Sequence, residues 1–154
     1  DAEQLSFPSG QDLIVSCSAL QWFVSPELFF KRCNALLSGH GYFAFSTFGK
    51  ENLKEIAAVT GSGLHYYSLE ELKKSLSMHY NIVTAGEERI RLTFATPLDV
   101  LYHLKHTGVT AVCRQAWTKG DLQEFCDKYA KLFSCGNAVT LTYHPLYIIA
   151  RKKP

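Results

Sequence analysis

The stretch DLIVSCSALQWF, Asp12 to Phe23, decides the fold. Its first half, Gln11 to Cys17, reads as a buried strand, and it runs straight into a loop of polar and aromatic side chains. In an open α/β sheet the carboxyl end of such a strand is where ligands bind. The segment therefore reads as the rim of a ligand site. The chain begins only a few residues earlier, so most of what surrounds such a site is expected to lie outside it.

Working outward, Ser25 and Pro26 supply an N-cap and a first-turn proline. Phe29, Cys33, Leu36 and Leu37 follow at i, i+4, i+7 and i+8, an amphipathic helix that Gly39 is expected to end. YFAFSTF, Tyr42 to Phe48, is the second strand. A helix is expected over Glu51 to Val59, closed by the linker Gly61-Ser62-Gly63. Ser68 and Glu71 form a capping box for a short helix with Leu69, Leu72 and Leu76 inward. Asn81 to Phe94 reads as one extended stretch, with Gly86 marking a bulge or a turn. Thr96 and Pro97 open a helix carrying Leu98, Leu101 and Leu104 that stops near Gly108. Thr118 and Asp121 open another, with Leu122, Phe125, Cys126, Tyr129, Leu132 and Phe133 on one side. AVTLTYHPLYIIA, Ala138 to Ala150, is the last strand, in which Pro145 demands a bulge or an unpaired position. Crossover helices between the early strands argue for a parallel pair, and the late strands for an antiparallel edge.

The bulk numbers fit one α/β domain. The chain has 154 residues, 47% of them hydrophobic and 19% charged, which is globular rather than disordered composition. A formal charge of +2 does not call for nucleic acid. No run of roughly 18 apolar residues suggests a membrane span, and DAEQLSFPSG has neither the basic start nor the apolar core of a signal peptide. Five cysteines without CxxC spacing argue against a disulfide framework and for a reducing, cytoplasmic setting. A zinc site from Cys113, Cys126, Cys135 and a histidine is a weaker reading than small apolar residues in helices, because zinc ligands come in close pairs. No metal is expected.

DAEQLSFP, QDLIVSCSALQWF and GYFAFSTFG together resemble the second half of class I methyltransferases that use S-adenosylmethionine. AFSTFGKENLKEI, FATPLDVLYHLKHTGVTA, WTKGDL and LTYHPLYIIARK narrow the likeness to the malonyl-[acyl-carrier protein] O-methyltransferases of biotin synthesis, over nearly the whole chain and in the same order. The resemblance implies a partial Rossmann-like sheet holding strands four to seven, the last antiparallel, with a helical substrate lid. Residues 1–63 would continue the core, 64–135 form the lid insert with the sixth strand, and 136–154 add the terminal antiparallel strand. The glycine-rich loop and the acidic residue that hold the cofactor have no counterpart in the chain. The N-terminal half is expected to be missing, and this piece alone to be inactive and to bind S-adenosylmethionine weakly.

Carried over by position, Asp1 matches the carboxylate that accepts from the adenine amine, with Ala2 and Glu3 beside it. Cys17, Ser18 and Leu20 match the loop at the sulfonium end, although the family often has asparagine where this chain has Cys17. No catalytic acid or base is assigned, because a malonyl carboxylate is ionised at neutral pH, its pKa being about 4. Alignment and water exclusion remain as the enzyme's task. Neutral donors or one arginine edge suit this nucleophile better than a lysine cluster, which would blunt it. Gln21, Trp22 and Thr47 are the substrate candidates at the strand ends. His103, Lys105 and Arg114 are candidates on the lid, each weighed against an ordinary solvated role. Lys73, Lys74, Lys105, Lys119, Lys128 and Lys131 make a basic surface able to steer an acidic carrier protein, or are simply solvated. The substrate expected is a malonyl thioester on acyl-carrier protein or coenzyme A. The alternatives are a methyltransferase for another small molecule and a non-catalytic carrier-protein-binding fragment.

Overall fold

The computed structural model describes residues 7–109 and 117–154, among which strands and helices are interspersed. In order they are β1 (Gln11–Cys17), α1 (Pro26–Leu36), β2 (Leu37–Phe48), α2 (Lys54–Thr60), α3 (Leu69–Leu76), β3 (Tyr80–Glu87), β4 (Ile90–Phe94), α4 (Pro97–His106), α5 (Lys119–Phe133), β5 (Ser134–Cys135), β6 (Ala138–Tyr143) and β7 (Pro145–Lys152). By packing, the residues up to Lys50, Leu64–Glu88 and His144–Pro154 make one unit, and Glu51–Gly63 with Arg89–Tyr143 make a second.

The first unit is a four-stranded sheet in the order β1-β2-β7-β3. β1 and β2 pair in parallel, as the crossover helix requires, and β7 runs antiparallel to both neighbours. The antiparallel strand thus lies inside the sheet, and β3 forms the edge. Phe43 and Phe45 of β2 and Leu146, Ile148 and Ala150 of β7 point to one face, where α1 and α3 bring Phe29, Phe30, Cys33, Leu72 and Leu76. Phe30 stacks on Phe45 at 5.6 Å between ring centroids, and Phe43 on Phe45 at 5.0 Å. Each such ring contributes about 1.5–3 kcal/mol by burial. Tyr80 enters this core because its hydroxyl donates to the Phe30 carbonyl at 2.8 Å, and burial pushes its pKa up. Burial likewise pushes the Cys33 thiol up to about 12, so it is an inert core residue. The other face carries Leu13, Val15, Tyr42, Tyr147 and Ile149, all exposed.

Several boundaries differ from expectation for identifiable reasons. α1 ends at Leu36, and β2 begins at once with Leu37, which pairs with Gln11, so Gly39 lies in a strand. The extended run Asn81 to Phe94 is two strands in two sheets, parted at Glu88 and Arg89. Gly86 is neither bulge nor turn; it faces Tyr147 across the ladder, and the ring leaves no room there for a Cβ. The register shift falls between Ile82 and Thr84. Ala138 to Ala150 is likewise two strands. Pro145, with no N–H to give, opens β7 opposite Phe48, and His144 separates it from β6. Ser25 caps α1 without a side-chain hydrogen bond.

In the second unit β4-β6-β5 form a small antiparallel sheet. Val100, Leu104, Phe125, Tyr129, Val139 and Leu141 form its core with Leu53, Ile56 and Val59. Leu98 and Leu132, expected inward, are exposed. The capping boxes Thr96/Asp99 and Thr118/Asp121 are both formed. β5 covers β6 only at Ala138 and Val139. Beyond it, other groups stand in for a strand. Leu53 N–H donates to the Thr142 carbonyl at 2.8 Å, and the Tyr129 hydroxyl to the Thr140 carbonyl at 2.7 Å. Glu55, 2% exposed, accepts from Thr142 N–H at 3.0 Å and from its hydroxyl at 2.5 Å. A buried carboxylate is tolerated here because both oxygens are bonded.

Two outcomes follow from these caps. Glu55→Ala leaves two buried donors unmet and should cost about 3 kcal/mol, against about 1 for Glu55→Gln, which keeps an acceptor; urea unfolding measures both, and equal losses would refute the acceptor role. Glu71, bonded to Lys50 and to the backbone and hydroxyl of Ser68, is held at about 2 against an ordinary 4.5. Its contribution is complete above 4.5 and disappears as pH falls through about 2. Glu71→Gln can keep the box but cannot titrate, so the stability difference between the two proteins should shrink steadily from pH 5 to pH 2 in thermal unfolding.

Candidate functional site

β1 ends at Cys17, and the chain leaves the sheet through Ser18, whose φ of 49° is in the left-handed region that a non-glycine residue seldom adopts. The Ser18 N–H donates to the Ser46 carbonyl of β2 at 3.0 Å, which holds that turn. A single 3-10 turn, Leu20–Trp22, follows. Leu20 drops into the core at 2% exposure, so only its backbone faces the site. Anchoring Leu20 sends Gln21 and Trp22 to the rim.

Gln21 is fixed from both ends of its amide. Its Nε2 donates to the Ser18 carbonyl at 2.5 Å, and its Oε1 accepts from the Thr47 hydroxyl at 3.2 Å. Thr47 is itself buried at the end of β2. The loop after β1 is thereby tied to the neighbouring strand, and Cys17, Ser18, Leu20, Gln21, Trp22 and Thr47 come together along one edge. Cys17 is exposed, and Trp22 is 52% exposed, too open to serve as a core cap.

Leu20, Gln21, Thr47 and Phe48 line one side of a shallow cleft, and His65, Tyr66 and Tyr67 the other. The His65 and Tyr67 rings meet edge to face at 5.0 Å. Burial, then the negative charges of Glu27 and Glu71, push the Tyr67 hydroxyl up, so it stays a neutral donor. The segment is secured where Ser68 caps α3: Glu71 closes the box and also pairs with Lys50 at 2.7 Å. Its carboxyl lies well below the usual range because of Lys50 first and Ser68 second. Sequence reading missed the three aromatic residues, whose only signal is the run HYY after a glycine linker. Along the exposed edge of β1 lies a groove of about 310 Å³, lined by Phe7, Leu13, Val15, Phe29 and Leu36 among others.

His103 and Lys105 belong to the second unit. His103 Nε2 lies 3.0 Å from the Tyr143 hydroxyl and its ring 5.1 Å from that of Phe94. Burial pushes Tyr143 up, offset in part by a hydrogen bond with Thr107. Lys105 is exposed. Asp1, Ala2, Glu3, Cys113 and Arg114 lie outside the described residues. Among the described residues no three of His, Cys, Asp or Glu are grouped to hold a metal, and no helix is long and apolar enough to cross a membrane.

The strand-end site therefore offers uncharged polar groups, an amide and hydroxyls, beside aromatic surface. Such a surface can orient a small anion without quenching it by a tight ion pair, and among the described residues lining the cleft at the end of β1 none is a lysine or arginine that would repel a sulfonium.

No family model matches the chain. Among curated proteins it is 56% identical over 163 residues to malonyl-[acyl-carrier protein] O-methyltransferase of Bacteroides thetaiotaomicron, covering 99% of this chain and 62% of that protein. It is 58% identical over 154 residues to the protein of the same name from Bacteroides fragilis, covering 99% of this chain and 31% of that one. The chain thus spans less than two thirds of the length of either relative. Among solved structures, a Bacillus halodurans protein provisionally assigned as a methyltransferase superposes with a TM-score of 0.67 at 16% identity, covering 100% of this chain and 70% of that one. The [4+2]-cyclase SpnF superposes with a TM-score of 0.54 at 16% identity, over 99% and 54% of the two chains. The fold is that of the class I methyltransferases, with the sheet order β1-β2-β7-β3 corresponding to its strands four, five, seven and six. Across 99% of its length the chain is thus 56–58% identical to two malonyl-[acyl-carrier protein] O-methyltransferases, of which it spans 62% and 31%.

Proposed function

We propose that the full-length polypeptide methylates the free carboxylate of malonyl-acyl-carrier protein, or of malonyl-coenzyme A, with S-adenosylmethionine, at the entry to biotin synthesis in the cytoplasm. The observation that carries this reading is the identity to the Bacteroides O-methyltransferases over 99% of the chain. The fold alone does not carry it, since a cyclase shares it.

The residues present fit the cofactor's sulfonium end. Cys17 and Ser18 are exposed at the carboxyl end of β1 and uncharged, and the face of Trp22 suits a cation. S-adenosylmethionine, when bound, supplies an electrophilic methyl carbon. Asp1, Ala2 and Glu3 are the proposed adenine side. Gln21, Trp22 and Thr47 orient the substrate, and His103, Lys105 and Arg114 are proposed to hold its carboxylate or its thioester arm. The malonyl carboxylate is already the nucleophile, so these residues align it and exclude water and need move no proton. The exposed apolar face with Leu13, Val15 and Tyr147 is the surface that the remaining length of a relative-sized protein would cover.

With the full-length protein, methyl-labelled S-adenosylmethionine should label malonyl-coenzyme A or malonyl-carrier protein as a base-labile ester and leave the acetyl thioester unlabelled. Absence of transfer to either malonyl thioester would end this reading. Trp22→Ala should cut that transfer about tenfold or more, as loss of an aligning contact does, with little change in Tm because the ring is half exposed. Thr47→Val, which unties Gln21, should cost about 1 kcal/mol in stability and lower kcat/KM for the malonyl thioester; unchanged kinetics in the folded variant would remove the Thr47–Gln21 bond from the site.

A further inference from the structure

The ladder registers set three strand ends side by side. Phe48 closes β2 opposite Pro145, which opens β7, and Glu87 closes β3 opposite Leu146. Thr47, which holds Gln21, immediately precedes Phe48. His144, just before Pro145, is 3% exposed, an unusual place for a histidine at the rim of a sheet, since burying a polar ring is costly unless it is bonded. Its Nε2 lies 3.1 Å from Glu87 Oε2, and its carbonyl accepts the Gly49 N–H at 2.7 Å. Gly49 follows Phe48, and its backbone lies flat on the imidazole. A Cβ at that position would stand 2.6 Å from His144 Cε1 and 2.7 Å from Nδ1. The ring is thus clasped between the carboxylate ending β3 and the backbone leaving β2. The proposed chemistry has no proton for it to move.

We propose that His144, braced by Glu87, is a positioning residue that fixes the backbone at Phe48 and Gly49, and through it the Thr47–Gln21 hydrogen bond. It thereby sets affinity for the malonyl thioester and not for the cofactor. The inference rests on the substrate role given above to Gln21 and Thr47. A displacement of β2's end by about an ångström takes Thr47 Oγ1 out of hydrogen-bonding range of Gln21, and misplacements of that size are costly in alignment-driven catalysis.

Three variants separate the possibilities. His144→Phe keeps a flat ring but loses the bond to Glu87. His144→Gln keeps a donor near the Nε2 position. Gly49→Ala leaves His144 intact but pushes its ring aside. The first readout is the side-chain amide resonance of Gln21 in the isotopically labelled full-length protein. It should shift and exchange faster in His144→Phe and Gly49→Ala and return toward wild type in His144→Gln. The second is steady-state kinetics: KM for malonyl-coenzyme A should rise about tenfold in the first two variants, with the dissociation constant for S-adenosylmethionine within about twofold of wild type, and His144→Gln should recover most of the loss. A folded His144→Phe or Gly49→Ala protein with an unmoved Gln21 amide and unchanged KM overturns the proposal, as does equal weakening of substrate and cofactor. If the wild-type protein transfers no methyl group to malonyl thioesters while the Gln21 amide responds as expected, the substrate reading fails and the positioning geometry stands.

Discussion

The sheet of the first unit depends on where β7 can begin. Pro145 has no N–H, so the ladder position opposite Phe48 can only be an end. Residues before it must leave, and β6 belongs to the other sheet. Starting at Pro145 sets the parity of everything after it. Leu146, Ile148 and Ala150 face Phe43 and Phe45, while Tyr147 and Ile149 face outward. A slip by one residue would exchange the two sets and bury Tyr147 in place of Ile148. Gly86 is part of the same constraint, since only a residue without Cβ can lie beneath the Tyr147 ring.

That register also builds the site. Because β1 and β2 are parallel, their carboxyl ends share an edge, and the loop after β1 must turn there without a glycine. Ser18 accepts the left-handed backbone, and its N–H is bonded to Ser46 in return. With Leu20 sunk in the core, the Gln21 side chain is left at the rim between the loop and the end of β2. Thr47 holds it there. The edge is held by hydrogen bonds between neutral groups, which suits the proposed reaction, whose nucleophile must stay basic.

Local signals in the sequence were legible because they act over three or four residues. Ser68/Glu71 and Thr118/Asp121 each close a capping box in the structure, and Thr96 with Pro97 opens α4. The first strand lies over Gln11 to Cys17 as expected, but it is an exposed end strand of the described sheet and not the buried strand its apolar run suggested, with Leu13 and Val15 on the open face; the parallel pairing followed from an intervening helix. What escaped reading depends on distant partners. Glu55 meets Thr142 across 87 residues, and Gln21 meets Thr47 across 26. The division of Asn81 to Phe94 between two sheets is decided by β6 and β7, which come more than forty residues later. Strict alternation runs only from Arg89 to Phe94, and before Glu88 the adjacent Ile82 and Val83 interrupt it, an irregularity that a bulge within one strand explains as well as a change of sheet. Pro145 did mark a discontinuity, but a bulge and a change of sheet satisfy its missing N–H equally well.

The same distinction explains why a likeness to known proteins is legible along the whole chain while no catalytic motif is. A reaction that must generate its nucleophile needs a base at hydrogen-bond distance, often with a further group to orient it, and such constellations leave recognisable spacings. A carboxylate needs no such activation, so the requirement moves to geometry: a strand end, a turn held at Ser18, an amide held at both ends. Under the proposed function those duties fall on residues of ordinary type, Gln, Thr, Trp and Gly, placed by the registers of β1, β2, β3 and β7. Buried polar contacts at the edges of such a sheet, His144 on Glu87 among them, are accordingly where the determinants of the proposed activity should be sought. Spacing along the chain would not have singled them out.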